Sequence, residues 1–250
     1  MSFVLECKKV KRTGFVWAFI FGGVIAALVP ILNMVVRSDM FLNQSLPPVE
    51  ILLNANWQIM SMLNVLLVVA GSSIIYHIEY ADNAVQKMNT LPILEEKIFF
   101  NKFILMAVMA FVTLVIEMTG VFFTIYKWFN ITKEIIIELL KNFGYSFLLI
   151  LPAILISLFI SSAFKNIWMS LGIGVIFVFT ATMIPTSNFY LSLFPYAMPF
   201  QIFSGTESEL FTKFIIVSLC EILILLFSEI IYVKVRRRFE WTFYHLLALN

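Results

Sequence analysis

The chain has 250 residues, of which 61% are hydrophobic and only 13% are charged, and its formal net charge is +2. Soluble domains are roughly 45–50% apolar and about 25% charged, so this composition excludes an ordinary water-soluble fold. Lipid must surround much of the surface. The sequence therefore predicts an all-α, polytopic membrane protein in which residues 1–250 form a single transmembrane domain.

Six segments are apolar enough to cross a membrane, because a spanning helix needs about 20 predominantly apolar residues. These predicted spans are residues 14–36, 57–75, 103–129, 143–164, 168–184 and 211–233. Pro30 and Pro152 lie inside the first and the fourth span, where proline favours a kink that neighbouring helices compensate.

Two further stretches are amphipathic or broken rather than membrane-spanning. Residues 130–142 mix charged side chains with isoleucine and leucine, which predicts a short amphipathic helix lying on the membrane surface. Residues 189–203 are rich in aromatic residues and contain Pro195 and Pro199. We expect this stretch to be re-entrant before the last span, with an interfacial loop resting on the lipid headgroups as the alternative.

Basic residues flank the first and the last span and predict the orientation of the chain. Lys8, Lys9, Lys11 and Arg12 precede the first span, and Lys234, Arg236, Arg237 and Arg238 follow the last. Because an excess of Lys and Arg marks cytoplasmic loops, both termini are expected in the cytoplasm. An even number of spans agrees with this arrangement.

The cytoplasmic connection between the second and the third span has a helical pattern of its own. Asp82 is suited to cap a helix start, and Pro92 ends the segment because the residue before a proline avoids the α region. Between them, the apolar residues fall on one helix face, and they are Ala84, Val85, Met88 and Leu91. Such a helix can transmit movement from a soluble partner into the membrane, although a plain surface helix fits the same pattern.

Residues 79–102 resemble the coupling-helix region of ABC-2 type permeases. That region contains an acidic residue, a small polar stretch, a Leu-Pro-Ile or Leu-Pro-Val step and a lysine, which here are Glu79, Asp82-Asn83-Ala84, Leu91-Pro92-Ile93 and Lys102. The N-terminal residues are similar to the opening of lantibiotic (bacteriocin) immunity permeases, in the order Glu6, Lys8, Lys9, Lys11, Arg12 and Thr13.

This resemblance implies that the chain is the permease subunit of an ATP-driven exporter. The exporter would lie in a bacterial cytoplasmic membrane and expel an antimicrobial peptide. A separate ABC ATPase dimer would bind ATP and Mg, and a second permease, identical or a sister chain, would complete the complex. The implied coupling residues are Glu79, Asp82, Val85, Met88, Leu91 and Pro92. The chain has no G-x-x-x-x-G-K-[ST] loop, which agrees with a chain without a cofactor. Other exporters of this type move other antibiotics, lipids or peptides, and these substrates are the alternatives to an antimicrobial peptide.

Glu117 and Glu221 fall near the middle of the third and the sixth span. A charged residue at mid-membrane costs about 2.5–3.5 kcal/mol even on lenient scales, and no Lys or Arg lies at that depth. One hypothesis is that one of these acids lines the path of a cationic amphipathic substrate. The alternative is hydrogen bonding between helices, with Asn64 and Ser218 as candidate partners.

Two other classes of protein are less compatible with the sequence. An intramembrane protease would need a site near Glu95 and Glu96, but both lie at the edge of a span, and His77 and His245 lie outside the spans. We therefore predict neither a catalytic site nor a metal site. A pore-forming subunit stays open, although the spans lack the rings of charge that a selectivity filter needs. We expect membrane lipid as a partner, and no nucleic acid.

Overall fold

The computed structural model describes residues 3–11, 13–80, 95–184 and 188–248. These residues form α-helices, short connections and one 3₁₀ turn, and no strand occurs among them. The helices are α1 (Phe3–Val10), α2 (Phe15–Leu42), α3 (Pro48–Tyr80), α4 (Glu95–Trp128), α5 (Lys133–Ala163), α6 (Ile167–Met183), α7 (Phe189–Ser192) and α8 (Ser208–Ala248), and the 3₁₀ turn is Met198–Phe200.

Five of these helices are long and apolar enough to cross a membrane: Phe15–Leu42, Pro48–Tyr80, Lys97–Trp128, Lys133–Ala163 and Ser208–Tyr232. The remaining apolar helix, α6, has 17 residues. At 1.5 Å per residue it extends about 26 Å, somewhat less than the ~30 Å hydrocarbon core of a bilayer. The predicted class, an all-α polytopic membrane protein, is confirmed.

The helix boundaries differ from the predicted spans. Helix α3 begins at Pro48 rather than at residue 57, and α8 continues to Ala248 rather than ending at residue 233. The separate surface helix predicted over residues 130–142 is wrong, because α5 runs without interruption from Lys133 to Ala163. Hydropathy marks the apolar part of a helix, whereas a helix ends where its backbone hydrogen bonding ends. In α2 the residue with non-helical backbone angles is Arg37, not Pro30.

Helix α3 lies at the centre of the bundle, where it packs against α2, α4, α5 and α6. Helix α8 packs on the outside, mainly against α5, and is the least buried of the five candidate spans. Helices α2 and α4 approach closely because Gly120 faces Ala27, where a Cβ atom on Gly120 would lie 2.7 Å from the carbonyl oxygen. Small residues commonly permit such contacts between membrane helices.

The stretch between α6 and α8 enters the bundle. Trp57 and Ser61 of α3 donate hydrogen bonds of 3.0 and 2.8 Å to the carbonyl oxygen of Pro199. Tyr196 is fully buried, and its hydroxyl lies 2.9 Å from that of Ser157 on α5. Ser61 is roughly 20 Å along α3 from its first residue, so the segment reaches well inside the bundle, as the predicted re-entrant stretch requires.

The bundle has two ends, which carry different elements. The α1 end carries α1, the last turn of α3 and the first turns of α4. The loop end carries the first turns of α3 and α5, together with residues 188–207. Residues 189–203, the re-entrant segment, enter the bundle from the loop end.

Candidate functional site

Four charged side chains from three helices meet at the α1 end, and we call them the charge cluster: Glu6 and Lys9 of α1, Glu79 of α3 and Lys102 of α4. The Lys102 Nζ atom lies 3.0 Å from Glu79 Oε1 and 3.9 Å from Glu6 Oε2. The Lys9 Nζ atom lies 2.9 Å from Glu6 Oε1 and 3.3 Å from Glu79 Oε1. Each carboxylate therefore contacts both ammonium groups, and the cluster has no net formal charge.

Three of the four members are buried, with Lys102 0%, Glu6 1% and Glu79 5% exposed. Lys102 also donates a hydrogen bond of 3.3 Å to the carbonyl oxygen of Ile75, and its ammonium lies 4.5 Å from the centroid of the Tyr76 ring. Removing an isolated charge from water costs several kcal/mol. The opposite charges, the carbonyl and the ring offset part of this cost for Lys102.

The charge cluster lies at the base of the connection that the sequence predicts to be the coupling helix. Glu79 is the residue before Tyr80, the last of α3, and Lys102 lies two turns into α4. Of the predicted coupling residues the structure describes Glu79. The others lie outside the described residues, and they are Asp82, Val85, Met88, Leu91 and Pro92. Glu79 is buried, and its role in coupling to a soluble partner stays a prediction.

The sequence motifs contain all four residues of the charge cluster, but they do not show that these residues contact one another. Glu6 and Lys9 belong to the N-terminal motif, while Glu79 and Lys102 belong to the motif around the connection. The charged residues of each motif lie next to an apolar helix. A charged side chain that is not solvated needs a partner nearby, and this requirement is the signal that links the two motifs. Which charges pair depends on how the helices pack, and the sequence alone does not show this.

Glu117 lies at the interface of α3 and α4 in the middle of the bundle. Its side chain is fully buried, and Asn64 of α3 donates a hydrogen bond of 2.9 Å to Glu117 Oε2. This contact confirms Asn64 as a partner. Within the described structure, Glu117 Oε1 has no hydrogen-bond partner. Glu117 thus keeps an unused acceptor inside the bundle.

Glu221 lies on α8 and is half-buried, and its Oε2 atom is buried without a hydrogen-bond partner among the described residues. Ser218, the other candidate partner, donates instead to the carbonyl oxygen of Leu148 on α5. No hydrogen bond in the described part of the chain joins Glu221 to Glu117. The two acids occupy different helices of one chain, α8 on its outside and α4 in its interior.

Metal binding finds no support in the described residues, which contain no group of three or more His, Cys, Asp and Glu side chains arranged to hold an ion. The two cysteines, Cys7 and Cys220, are both free thiols. The side chains of Glu95 and Glu96, which the protease alternative invokes, lie outside the described structure.

A comparison with protein families decides the class of this protein. The family model described as ABC-2 family transporter protein matches residues 2–181. The chain belongs to the ABC-2 transporter family. It is a multi-pass membrane permease of an ABC transporter, a transport subunit that is not itself catalytic, and the family implies an ABC ATPase as its partner. A search of curated proteins found no match, and a search of solved structures found none either.

The matched residues do not include every part of the permease. They contain the charge cluster, the connection that follows Tyr80, and Glu117. The re-entrant segment and α8, which carries Glu221, lie beyond residue 181. The α1 end and the first turns of α3 and α5 lie within the matched residues, whereas the re-entrant segment and α8 have to be interpreted from their own residues.

Proposed function

We propose that the permease is the membrane subunit of a bacterial exporter that expels an antimicrobial peptide, while a separate dimeric ABC ATPase binds ATP and Mg. The observation that carries the coupling part of this proposal is the position of the charge cluster. It joins α1, α3 and α4 where the connection of residues 81–94 leaves and re-enters the bundle.

Movement of that connection would be transmitted through the charge cluster. Separating Lys102 from Glu79 and Glu6 leaves buried charges without partners, which is strongly unfavourable. The ends of the three helices are therefore expected to move together when the ATPase pushes on the connection. Glu79 acts in this scheme as a positioning residue, and Asp82, Val85, Met88, Leu91 and Pro92 form the contact surface.

The proposed substrate is a cationic amphipathic peptide. The N-terminal residues 6–13 are similar to those of immunity permeases, and two spans carry acids with unused acceptors, Glu117 on α4 and Glu221 on α8. We propose that both acids line the substrate path. An exporter of another antibiotic, lipid or peptide is the alternative within the family.

The proposed path also requires a second permease, identical or a sister chain. Glu221 lies on the outermost helix, so a path that includes this residue needs a wall contributed by another subunit. The basic residues at both ends of the chain support a cytoplasmic location of both termini, which places the connection on the side where ATP is available.

Association with the partner ABC ATPase tests the coupling part of the proposal. Met88→Asp and Leu91→Asp place a charge on the predicted apolar face of the connection, and each is expected to abolish co-purification in mild detergent. Asn89→Asp adds the same charge off that face and serves as the matched control, for which association is expected to persist. Wild-type permease that purifies alone despite abundant ATPase would contradict the proposal.

A further inference from the structure

A cavity of about 740 Å³ opens at the loop end of the permease. Its walls come from the start of α3, the end of α6, the re-entrant segment and the residues that lead into α8. This volume falls within the range of roughly 300–1,000 Å³ typical of ligand pockets. The acids Glu117 and Glu221 do not line it, so it is distinct from the proposed path.

The lining combines apolar residues with polar ones and two acids. Glu50, Asn54 and Gln58 follow one another at intervals of four residues, which places them on one face of α3. Glu207 lies on the wall that leads into α8. Among the described residues, the lining includes these two carboxylates and no Lys, Arg or His, so the cavity favours a cation.

A buried amide holds the wall formed by residues 203 and 204 in place. Asn142 of α5 is 1% exposed, and its Oδ1 atom accepts hydrogen bonds from the backbone N–H groups of Phe203 and Ser204 at 3.2 and 3.3 Å. Asn142 also donates to the Ser204 hydroxyl at 2.7 Å, and that hydroxyl donates to Glu138 Oε1 at 2.6 Å. This network fixes the backbone next to Gly205.

Gly205 brings one of the two acids against the wall. Its backbone has a φ of 76°, a conformation that favours glycine. A Cβ atom at this position would lie 2.5 Å from Glu50 Oε1. The absence of a side chain at residue 205 is therefore what allows the Glu50 carboxylate to occupy its place in the cavity.

Gln201 adds an unmet hydrogen-bond donor beside the acids. It lines the cavity and is 8% exposed, and its Nε2 atom has no partner in the described structure. Buried polar groups are normally hydrogen-bonded. A peptide carbonyl bound in the cavity would supply this side chain with the acceptor that it lacks.

We propose that this cavity binds a lysine side chain of a peptide, with the ammonium group between Glu50 and Glu207 and with Asn54, Gln58 and Gln201 hydrogen-bonding to peptide amides. The identification of that peptide as the exported substrate rests on the proposed function, whereas ammonium binding does not. The re-entrant segment and the residues that lead into α8, which form much of the cavity wall, lie outside the residues matched by the family model.

Binding is tested with the purified permease alone in detergent, by isothermal titration calorimetry. The probe is the peptide acetyl-Ala-Lys-Ala-Lys-Ala-amide, and its matched control carries acetyl-lysine at both lysine positions. We expect the lysine peptide to bind at least tenfold more tightly than the control. Glu50→Gln and Glu207→Gln are each expected to weaken binding of the lysine peptide about fivefold or more.

Glu209→Gln is the matched variant, because it removes an exposed carboxylate at the same end that pairs with Lys213 and does not line the cavity. It is expected to bind like wild type. Gly205→Ala, which displaces the Glu50 carboxylate without changing charge, is expected to weaken binding as Glu50→Gln does. Thermal unfolding of each variant identifies those that fold like wild type, and affinities are compared among these.

Equal affinity for the two peptides, or equal loss in Glu50→Gln and Glu209→Gln, would overturn the inference. Spermidine that binds as tightly as the lysine peptide would overturn the assignment to a peptide. No ATPase is present in this experiment. Intact peptide binding combined with lost ATPase association would therefore contradict only the proposed function, and the reverse result would contradict only the cavity.

Discussion

The two ends of the permease hold a non-spanning segment against α3 in different ways. At the α1 end, the charge cluster ties α1 to α3 and α4 through ion pairs of 3.3 and 3.9 Å. At the loop end, Trp57 and Ser61 hold the re-entrant segment through neutral hydrogen bonds to one carbonyl oxygen, that of Pro199. Both attachments are buried, but only the first contains formal charges.

This difference determines how each attachment responds to damage. Removing one member of a buried ion cluster leaves the opposite charges without compensation, which costs about 3–5 kcal/mol. Removing one of two donors to the same carbonyl still leaves that carbonyl hydrogen-bonded, so the loss is limited to about 0.5–1.5 kcal/mol. A single substitution should therefore be enough to disrupt the attachment at the α1 end. The attachment at the loop end should be disrupted only when both donors are removed.

The largest effect is expected from Lys102→Met. This substitution keeps much of the apolar stem but leaves Glu6 and Glu79 buried with Lys9 as their remaining partner in the charge cluster. We expect the free energy of unfolding to fall by about 3–5 kcal/mol, measured by denaturant titration of the purified permease with circular dichroism.

The control for this prediction is Lys97→Met, which removes an exposed lysine from the same helix and is expected to change stability by less than ~0.5 kcal/mol. Adding Glu6→Gln and Glu79→Gln to Lys102→Met should recover part of the loss, because the buried charges disappear as well. If Lys102→Met proves as stable as Lys97→Met, the charge cluster does not hold the α1 end together.

An intermediate effect is expected from Trp57 and Ser61. Ser61→Ala removes one donor and should cost about 0.5–1.5 kcal/mol, whereas Trp57→Phe removes the other donor, also leaves a cavity at a buried position and should cost somewhat more. The double variant should lose about 1 kcal/mol more than the sum, because the Pro199 carbonyl is then buried without either donor. The double-mutant cycle in the same denaturant titration measures this excess.

Trp17→Phe is the matched control, since Trp17 is exposed on α2 and its replacement should leave the unfolding transition nearly unchanged. Strict additivity of the two single substitutions would show that the shared carbonyl does not couple α3 to the re-entrant segment. In that case the loop end would resemble an ordinary packed surface.

The sequence predicts the apolar part of this architecture better than its polar contacts. Long apolar segments identify the spans because lipid requires about 20 such residues, and the prolines and aromatic residues of the re-entrant segment mark it as different. The first turns of α3 and α5 are missed, since Glu50 and Lys133 are polar residues within continuing helices.

Contacts between distant residues explain the rest. Asn64 is correctly anticipated as a partner of Glu117 because a buried acid needs a polar neighbour and few are at that depth. The meeting of Glu6 with Lys102 is not anticipated, because each of them is equally compatible with solvent at a helix end. The cavity is not predicted from the sequence for the same reason, since Glu50, Gly205 and Glu207 line one cavity only after the loop end has folded.

The smallest effect on stability is expected from Glu117→Gln, which lies between the two ends. Glutamine keeps an oxygen that accepts the hydrogen bond from Asn64, and such bonds between membrane helices contribute only about 0.6 kcal/mol on average. The unfolding free energy should therefore change by less than ~1 kcal/mol, which makes this variant suitable for a test of function.

Protection of cells against a cationic lantibiotic separates the two roles of the buried acids. If Glu117 and Glu221 line the path, Glu117→Gln and Glu221→Gln should lower the tolerated peptide concentration about tenfold at equal protein level, while Glu134→Gln, at an exposed acid on α5, should not. Unchanged protection would assign Glu117 to helix packing alone. The charge of the path would then have to come from other residues, because hydrogen bonding to Asn64 persists in the glutamine variant whether or not a substrate passes.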